Sequence, residues 1–229
     1  MDVCAIQMPI KIGDKMKCVV LANGEYGPLE RYSSVVLDSD LIICADGGAN
    51  YAYEMGLIPA YIVGDMDSIK PEVKEFFAAR RVTVKKYPRR KDFTDTQLAL
   101  SLAEEMGADE VVFLGTLGKR LDHTLSNLYS GIELAMMGKQ VMHYSPQCVV
   151  YLTARRLVIE GQKGDVVSVL PLSEKALGVC EKGFEYPLEN VVLEKKNPYT
   201  VSNTLAEEKG EISVEEGILA VFHFLTSDG

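Results

Sequence analysis

Short apolar runs separated by amphipathic stretches organise the first two thirds of the chain. The runs are Lys17–Ala22, Leu41–Ala45, Ala60–Val63, Val82–Tyr87 and Glu110–Leu114, most of them closed by Gly or a polar turn. Near-continuous Val, Ile and Leu of this kind predicts strands buried on both faces. Between them, Tyr51–Met55 reads as a short helix closed by Gly56, and Pro71 opens a helix to about Arg80, where its missing N–H does no harm. Thr94 followed by Gln97 forms a capping box, with Phe93 and Leu98 as its hydrophobic staple. That helix carries Leu98, Ala99, Leu102 and Met106 at helical spacing and stops at Gly107; a long apolar helix is predicted beyond His123, to about Met137 and Gly138. Strands and helices alternating with short connections specify an α/β domain built on a mainly parallel sheet.

Past Pro146 the texture changes. Val149–Leu152, Leu157–Ile159, Val166–Leu170, Val191–Leu193, Ile212–Val214 and Ile218–Leu225 are β-type runs with no helical pattern between them. This spacing predicts a small antiparallel sandwich or barrel. The expected domains are residues 16–146 and 147–229, with the boundary in Tyr144–Gln147. Met1–Lys15 lacks the apolar core of a signal peptide and reads as a poorly ordered extension.

No apolar run reaches the roughly 18 residues of a membrane helix. The formal net charge of −9 argues against general nucleic-acid binding, and also requires a metal, local basic groups or backbone N–H donors wherever a polyanion binds. Cys18 and Cys44 lie inside strand patterns and no Cys-x-x-Cys pair occurs, which points to reduced core thiols and a cytoplasmic protein. His143 and His223 sit in strand-like runs and read as structural.

The candidate chemistry lies in the acids at strand ends. Asp65 and Asp67 follow the third run two residues apart, and on extended backbone both carboxylates would share one face. Such a pair repels unless a cation or proton is shared, and oxygen-only ligands suit Mg²⁺ beside substrate phosphates. Asp46 follows the second run, with Gly47 and Gly48 after it allowing close backbone approach to a ligand. Asp92 and Asp95 flank the Thr94 cap. A parallel sheet brings these termini and Gly115 to one edge, where open α/β folds bind ligands. Together they fit an oxygen cage for one or two Mg²⁺ ions bridging a polyphosphate, with Lys91, Lys119 and Arg120 as nearby cations. Thr94 and Asp95 are equally explained as helix caps, and Asp122 and His123 as helix N-terminal residues.

Five stretches carry a resemblance: Ala45-Asp-Gly-Gly-Ala-Asn50, Gly64-Asp-Met-Asp-Ser68, Lys91-Asp-Phe-Thr-Asp95, Gly115-Thr-Leu-Gly-Lys-Arg-Leu-Asp-His123 and Ser202-Asn-Thr204. In their order and spread the sequence resembles the thiamine pyrophosphokinase family, of the bacterial type. The resemblance implies a Rossmann-like α/β domain, a C-terminal β-sandwich, and a homodimer with active sites between subunits. It implies attack of the thiamine hydroxyl on the β-phosphorus of ATP, giving thiamine diphosphate and AMP. By the same resemblance Asp65, Asp67 and Asp95 are magnesium ligands, and Asp46 and Asp92 arrange metal and phosphates. Gly47, Gly48, Lys91, Thr94, Gly115, Thr116, Arg120, Asp122 and His123 line the nucleotide side; Ser202 and Asn203, with Asp46, line the thiamine side. Asp67 or Asp92 is the candidate acceptor of the hydroxyl proton. Eukaryotic relatives place a Trp against the vitamin, whereas this chain has none and carries Ile218-Leu-Ala-Val221 there. The alternatives are a Mg²⁺-dependent phosphohydrolase of nucleotides or thiamine nucleotides and a non-enzymatic binding module.

Overall fold

The computed structural model describes residues 15–90, 92–118 and 120–226; residues 1–14, Lys91 and Lys119, on which expectations fell, lie outside these. The chain divides at Ser130/Gly131 into two compact units.

In the first unit the five runs form β1 (Lys17–Leu21), β2 (Leu41–Ala45), β3 (Tyr61–Gly64), β4 (Thr83–Lys86) and β5 (Glu110–Leu114), all parallel, in the order β5-β1-β2-β3-β4. Cys18–Leu21 of β1 and Val111–Leu114 of β5 are wholly inaccessible to solvent, which is why these strands read as unbroken apolar sequence. Burial pushes the Cys18 thiol up to about 12 and the Cys44 thiol further, leaving both unreactive.

The connecting helices are α1 (Ser33–Leu37), α2 (Gly48–Glu54), α3 (Pro71–Ala79), α4 (Asp95–Glu105) and α5 (Leu121–Ser130). At α4 the capping box is present in full: the Thr94 hydroxyl accepts from the Gln97 N–H at 3.2 Å, and the Gln97 side chain accepts from the Thr94 N–H at 2.8 Å. Phe93, expected in a staple, remains 59% exposed. Helix α2 starts earlier than predicted, with Gly47 as its N-cap and Gly48 as its first residue. A Cβ on Gly48 would stand 2.0 Å from the Leu21 carbonyl oxygen, so only glycine lets α2 lie this close to β1.

The predicted long helix to Met137 is two helices, α5 and α6 (Ile132–Met136), interrupted at Gly131. A side chain at Gly131 would press within 2.8 Å of Leu152 and Val141, the apolar residues against which this turn of chain packs.

The second unit contains two antiparallel sheets. One comprises β6 (Gln140–Ser145), β7 (Cys148–Thr153), β9 (Val166–Pro171), β12 (Asn203–Thr204) and β14 (Leu219–Phe224), in the order β12-β9-β14-β7-β6. The other comprises β8 (Arg156–Glu160), β10 (Lys175–Lys182), β11 (Leu188–Glu194) and β13 (Lys209–Ser213), in the order β11-β10-β13-β8. Their core includes Ile159, Val167, Val179, Leu193, Leu205, Ile212 and Val221. Strand β10 was not expected from the sequence: its pairing with β11 shifts register twice, so its apolar positions do not alternate.

His143 and His223 are buried, as their strand setting suggests. His143 has its pKa lowered to about 3 by desolvation and stays neutral. His223 has an acidic partner remote in sequence: its Nε2 lies 2.8 Å from Asp165 Oδ2. Burial raises the Asp165 pKa, but hydrogen bonds from Thr226, Gln162 and His223 outweigh it and hold the pKa at about 2.

Glu181 on β10 is 1% exposed, and among the described residues only its Oε2 has a partner, the Asn203 amide at 2.8 Å. Desolvation raises its pKa from 4.5 to about 7 against the lowering effect of that hydrogen bond. Between those values the folded chain keeps a proton that the unfolded chain has released. Stability therefore falls as pH rises through this window, by at most about 3 kcal/mol. Glu181→Gln stays neutral and keeps an acceptor for Asn203. By urea denaturation it should equal wild type near pH 5 and exceed it at pH 8; equal stability at pH 8 would contradict the buried-acid account.

Candidate active site

In the strand order of the first unit, β1 lies between β2 and β5, so the chain leaves β1 toward one side and β5 lies on the other. Loops that leave adjacent strands in opposite directions open a crevice at the carboxyl edge. Here the two loops are Asn23-Gly24 and Gly115–Arg120. They approach so closely that a Cβ on Gly24 would stand 1.9 Å from the Gly115 carbonyl oxygen. Gly115 itself has φ +70, and the Tyr26 ring covers it: a side chain there would meet the ring at 2.3 Å. Tyr26 is fixed by stacking on Tyr51, ring centroids 4.1 Å apart, and by donating to the Ala22 carbonyl. The crevice above this floor is a cleft of about 550 Å³, lined among others by Asp46, Asp65, Asp67, Thr94, Asp95 and Arg120.

The acids converge there. Ligand oxygens of Asp46, Asp65 and Asp67 all lie within 4.8 Å of one another. Asp46 follows β2 with φ +45, a left-handed conformation that Asp tolerates better than most residues. Asp65 and Asp67 meet differently from the extended geometry expected. Met66 has φ +67, and Asp65 Oδ1 accepts the Asp67 N–H at 3.1 Å, so a turn gathers the pair. Asn50 ties this turn to α2, donating to the Ser68 carbonyl and accepting from the Lys70 N–H, both at 3.0 Å. Gly64 makes room for the next acid: its absent Cβ would stand 2.9 Å from Asp95 Oδ1 and 3.0 Å from Asp46 Cβ.

Three carboxylates this close repel one another. Asp46 is buried, yet its Oδ1 has no hydrogen-bond partner among the described residues. A buried unsatisfied acceptor costs about 1–3 kcal/mol, and more when charged. Both features fit a hard divalent cation held by oxygen donors. The cluster differs in membership from the expected ligands, since Asp46 joins Asp65 and Asp67 while Asp95 stands beside Asp46 across Gly64.

Thr116, Arg120 and His123 also line the cleft, with Thr124, Ser126 and Asn127. Asn127 donates to the Thr116 carbonyl at 3.2 Å, fixing the loop after β5 to α5. Arg120 is engaged by Asp122, through Nε to Oδ1 at 3.0 Å and a terminal nitrogen to Oδ2 at 2.6 Å. This pair holds the exposed Asp122 carboxyl well below the usual carboxylate range.

The remaining expected residues lie elsewhere. Asp92 is exposed, and Gly47 and Gly48 are buried at the start of α2; none of these, nor Asp122, lines the cleft. Ser202 and Asn203 belong to the second unit. Asn23, Gly24, Tyr26, Thr124 and Asn127 were not singled out from the sequence. Asn23-Gly24 is visible there as a strand-ending turn, but its place in the crevice follows only from the strand order.

The fold and site define an α/β enzyme of phosphoryl-group chemistry, its acids gathered at the switch point of a parallel sheet. The family model described as thiamin pyrophosphokinase, catalytic domain, matches residues 32–143, and that described as thiamin pyrophosphokinase, vitamin B1 binding domain, matches residues 156–219. Thiamine pyrophosphokinase of Bacillus subtilis is 27% identical over 209 residues, covering 87% of this chain and 94% of that protein. The crystal structure of thiamine pyrophosphokinase from Bacillus subtilis superposes with a TM-score of 0.79 at 26% identity, over 92% of this chain and all of that one. The Candida albicans enzyme, at 20% identity and a TM-score of 0.75 over 92% of this chain and 89% of that one, shares the fold. The chain belongs to the thiamine pyrophosphokinase family.

Proposed function

We infer that this chain transfers the diphosphoryl group of ATP to the primary hydroxyl of thiamine. The hydroxyl oxygen bonds to the β-phosphorus, the bond from that phosphorus to the α–β bridging oxygen breaks, AMP leaves, and the hydroxyl proton passes to a carboxylate or water. The observation that carries this reading is the gathering of Asp46, Asp65 and Asp67, with Asp95 beside them, over a glycine floor in a protein of the thiamine pyrophosphokinase family.

Phosphoryl-type transfer asks a protein mainly for positioning and charge neutralisation. Asp46, Asp65, Asp67 and Asp95 would hold Mg²⁺, which supplies neutralisation of the donor's phosphates when bound. Arg120 offers a planar pair of donors to phosphate oxygens. The close packing of Gly24 on Gly115 holds the loop after β5 at the floor of the cleft. Asp67, the most exposed of the clustered acids, stands nearest to solvent for accepting the hydroxyl proton. The same reading takes the protein as a cytoplasmic homodimer without nucleic-acid partners. Its support is the family, the buried free thiols and the acidic charge; among the described residues no helix is long and apolar enough to cross a membrane.

Incubation with ATP, Mg²⁺ and thiamine should release AMP and thiamine diphosphate in equal amounts, and EDTA should stop it. Release of ADP or inorganic phosphate, or nucleotide turnover without thiamine, would overturn the reading.

A further inference from the structure

Two asparagines spend their amides on the architecture of the site. Asn50 donates to the Ser68 carbonyl and accepts the Lys70 N–H, and Asn127 donates to the Thr116 carbonyl. Asn23 differs. It lines the cleft together with Asp46, Asp65 and Asp67, and its amide has no hydrogen-bond partner among the described residues.

The Asn23 amide is nonetheless held in place, by packing. A Cβ on Gly47 would stand 2.3 Å from Asn23 Cγ, 2.3 Å from Oδ1 and 2.5 Å from Nδ2. Three atoms nearly equidistant from one point show that the amide turns its flat face to Gly47, leaving the polar edge that carries Oδ1 and the two N–H groups directed elsewhere. Gly47 has φ −59 and ψ −9, ordinary right-handed backbone that any residue adopts. Backbone conformation therefore does not call for glycine at 47; the room taken by the amide does. This also accounts for Gly47 being buried and outside the cleft lining, since the Asn23 side chain lies over it.

The placement matters because Gly47 directly follows Asp46, whose carboxylate belongs to the cluster with Asp65 and Asp67. A polyphosphate drawn to a cation on those acids needs hydrogen-bond donors beside them. A lysine there would pair with the carboxylates, and a further acid would repel the phosphates. A side-chain amide offers two N–H donors and no charge.

We propose that Asn23 binds the triphosphate of the nucleotide, donating from Nδ2 to a phosphate oxygen beside the acid cluster, with Gly47 as the seat that fixes the amide. The proposal rests on the diphosphotransferase reading for the identity of the ligand, and deepens it by naming a contact and the glycine that positions it.

The test titrates the full chain calorimetrically with α,β-methylene-ATP and Mg²⁺, a probe whose α–β linkage cannot be cleaved. Asn23→Ala should weaken binding about tenfold and raise the KM for ATP similarly, leaving the KM for thiamine and the thermal midpoint near wild type. Asn23→Asp keeps the shape, replaces donors by a charged acceptor and should bind more weakly still. Gly47→Ala pushes the amide off its seat and should reproduce the Asn23→Ala loss, and the double variant should bind no worse than Asn23→Ala alone. Unchanged nucleotide affinity in Asn23→Ala overturns the proposal, as does a fall in its thermal midpoint that accompanies the loss. Losses that multiply in the double variant overturn the role of Gly47 as the seat. If wild type binds the analogue but releases no AMP from ATP and thiamine, the reaction reading falls, and the same titrations still decide the role of Asn23.

Discussion

Asp46→Asn is expected to lower thiamine-dependent AMP release by about 100-fold or more while raising the thermal midpoint of the metal-free protein. The substitution preserves shape, and Asn tolerates φ +45 as readily as Asp. What it removes is one of three negative charges whose oxygens lie within 4.8 Å. In the absence of cations that removal relieves repulsion and the desolvation of an oxygen unpaired among the described residues, so the fold gains. With Mg²⁺ present the wild type recovers its deficit and the variant gains less, so the difference in midpoint should shrink or reverse. A merely structural Asp46 predicts the opposite pattern, with stability and activity falling together. Thermal scans in EDTA and in Mg²⁺, beside the AMP assay, separate the two; wild-type turnover in the variant would remove Asp46 from the site.

Gly24→Ala should be among the most damaging methyl additions in the first unit. Its Cβ would stand 1.9 Å from the Gly115 carbonyl oxygen and 2.9 Å from the Gly115 carbonyl carbon, so two stretches of backbone must part. No flexible side chain is available to yield. The expected loss is about 3 kcal/mol, at the upper end of overpacking costs. Whatever stability survives, the loop carrying Thr116 and Arg120 is displaced from the acids and turnover is lost. Gly27→Ala is the matched control, since a Cβ there meets nothing within 4 Å. Urea denaturation of both variants checks the claim, and a Gly24→Ala protein as stable as Gly27→Ala would refute the close packing of the two loops.

Much of the first unit is legible in the sequence because its signals are local. Five apolar runs, the Thr94–Gln97 box and Pro71 at a helix start each specify their element within a few residues. The acids, too, can be listed by their positions after strands. What the sequence does not disclose is set by long-range packing. The break at Gly131 depends on Val141 and Leu152, and the β10 bulges hide a strand whose core position is filled by Glu181. Asp165 and His223 are 58 residues apart. Asn203 reads as a ligand in its motif, yet its amide is consumed by Tyr186, Thr204 and Glu181. The crevice floor at Asn23-Gly24 needs the β5-β1 adjacency, which no local pattern encodes.

Arg120 reaches the cleft with its guanidinium already engaged by Asp122, a carboxylate that itself stands outside the cleft lining. A guanidinium already seated on a carboxylate gives little reward to a stray monoanion, because one charge only replaces another. A triphosphate can satisfy the arginine and engage the rest of the wall at once, so the incumbent yields to multiplicity and not to charge alone. On the proposed reading the loop after β5 would therefore favour ligands that bring several acceptors at once.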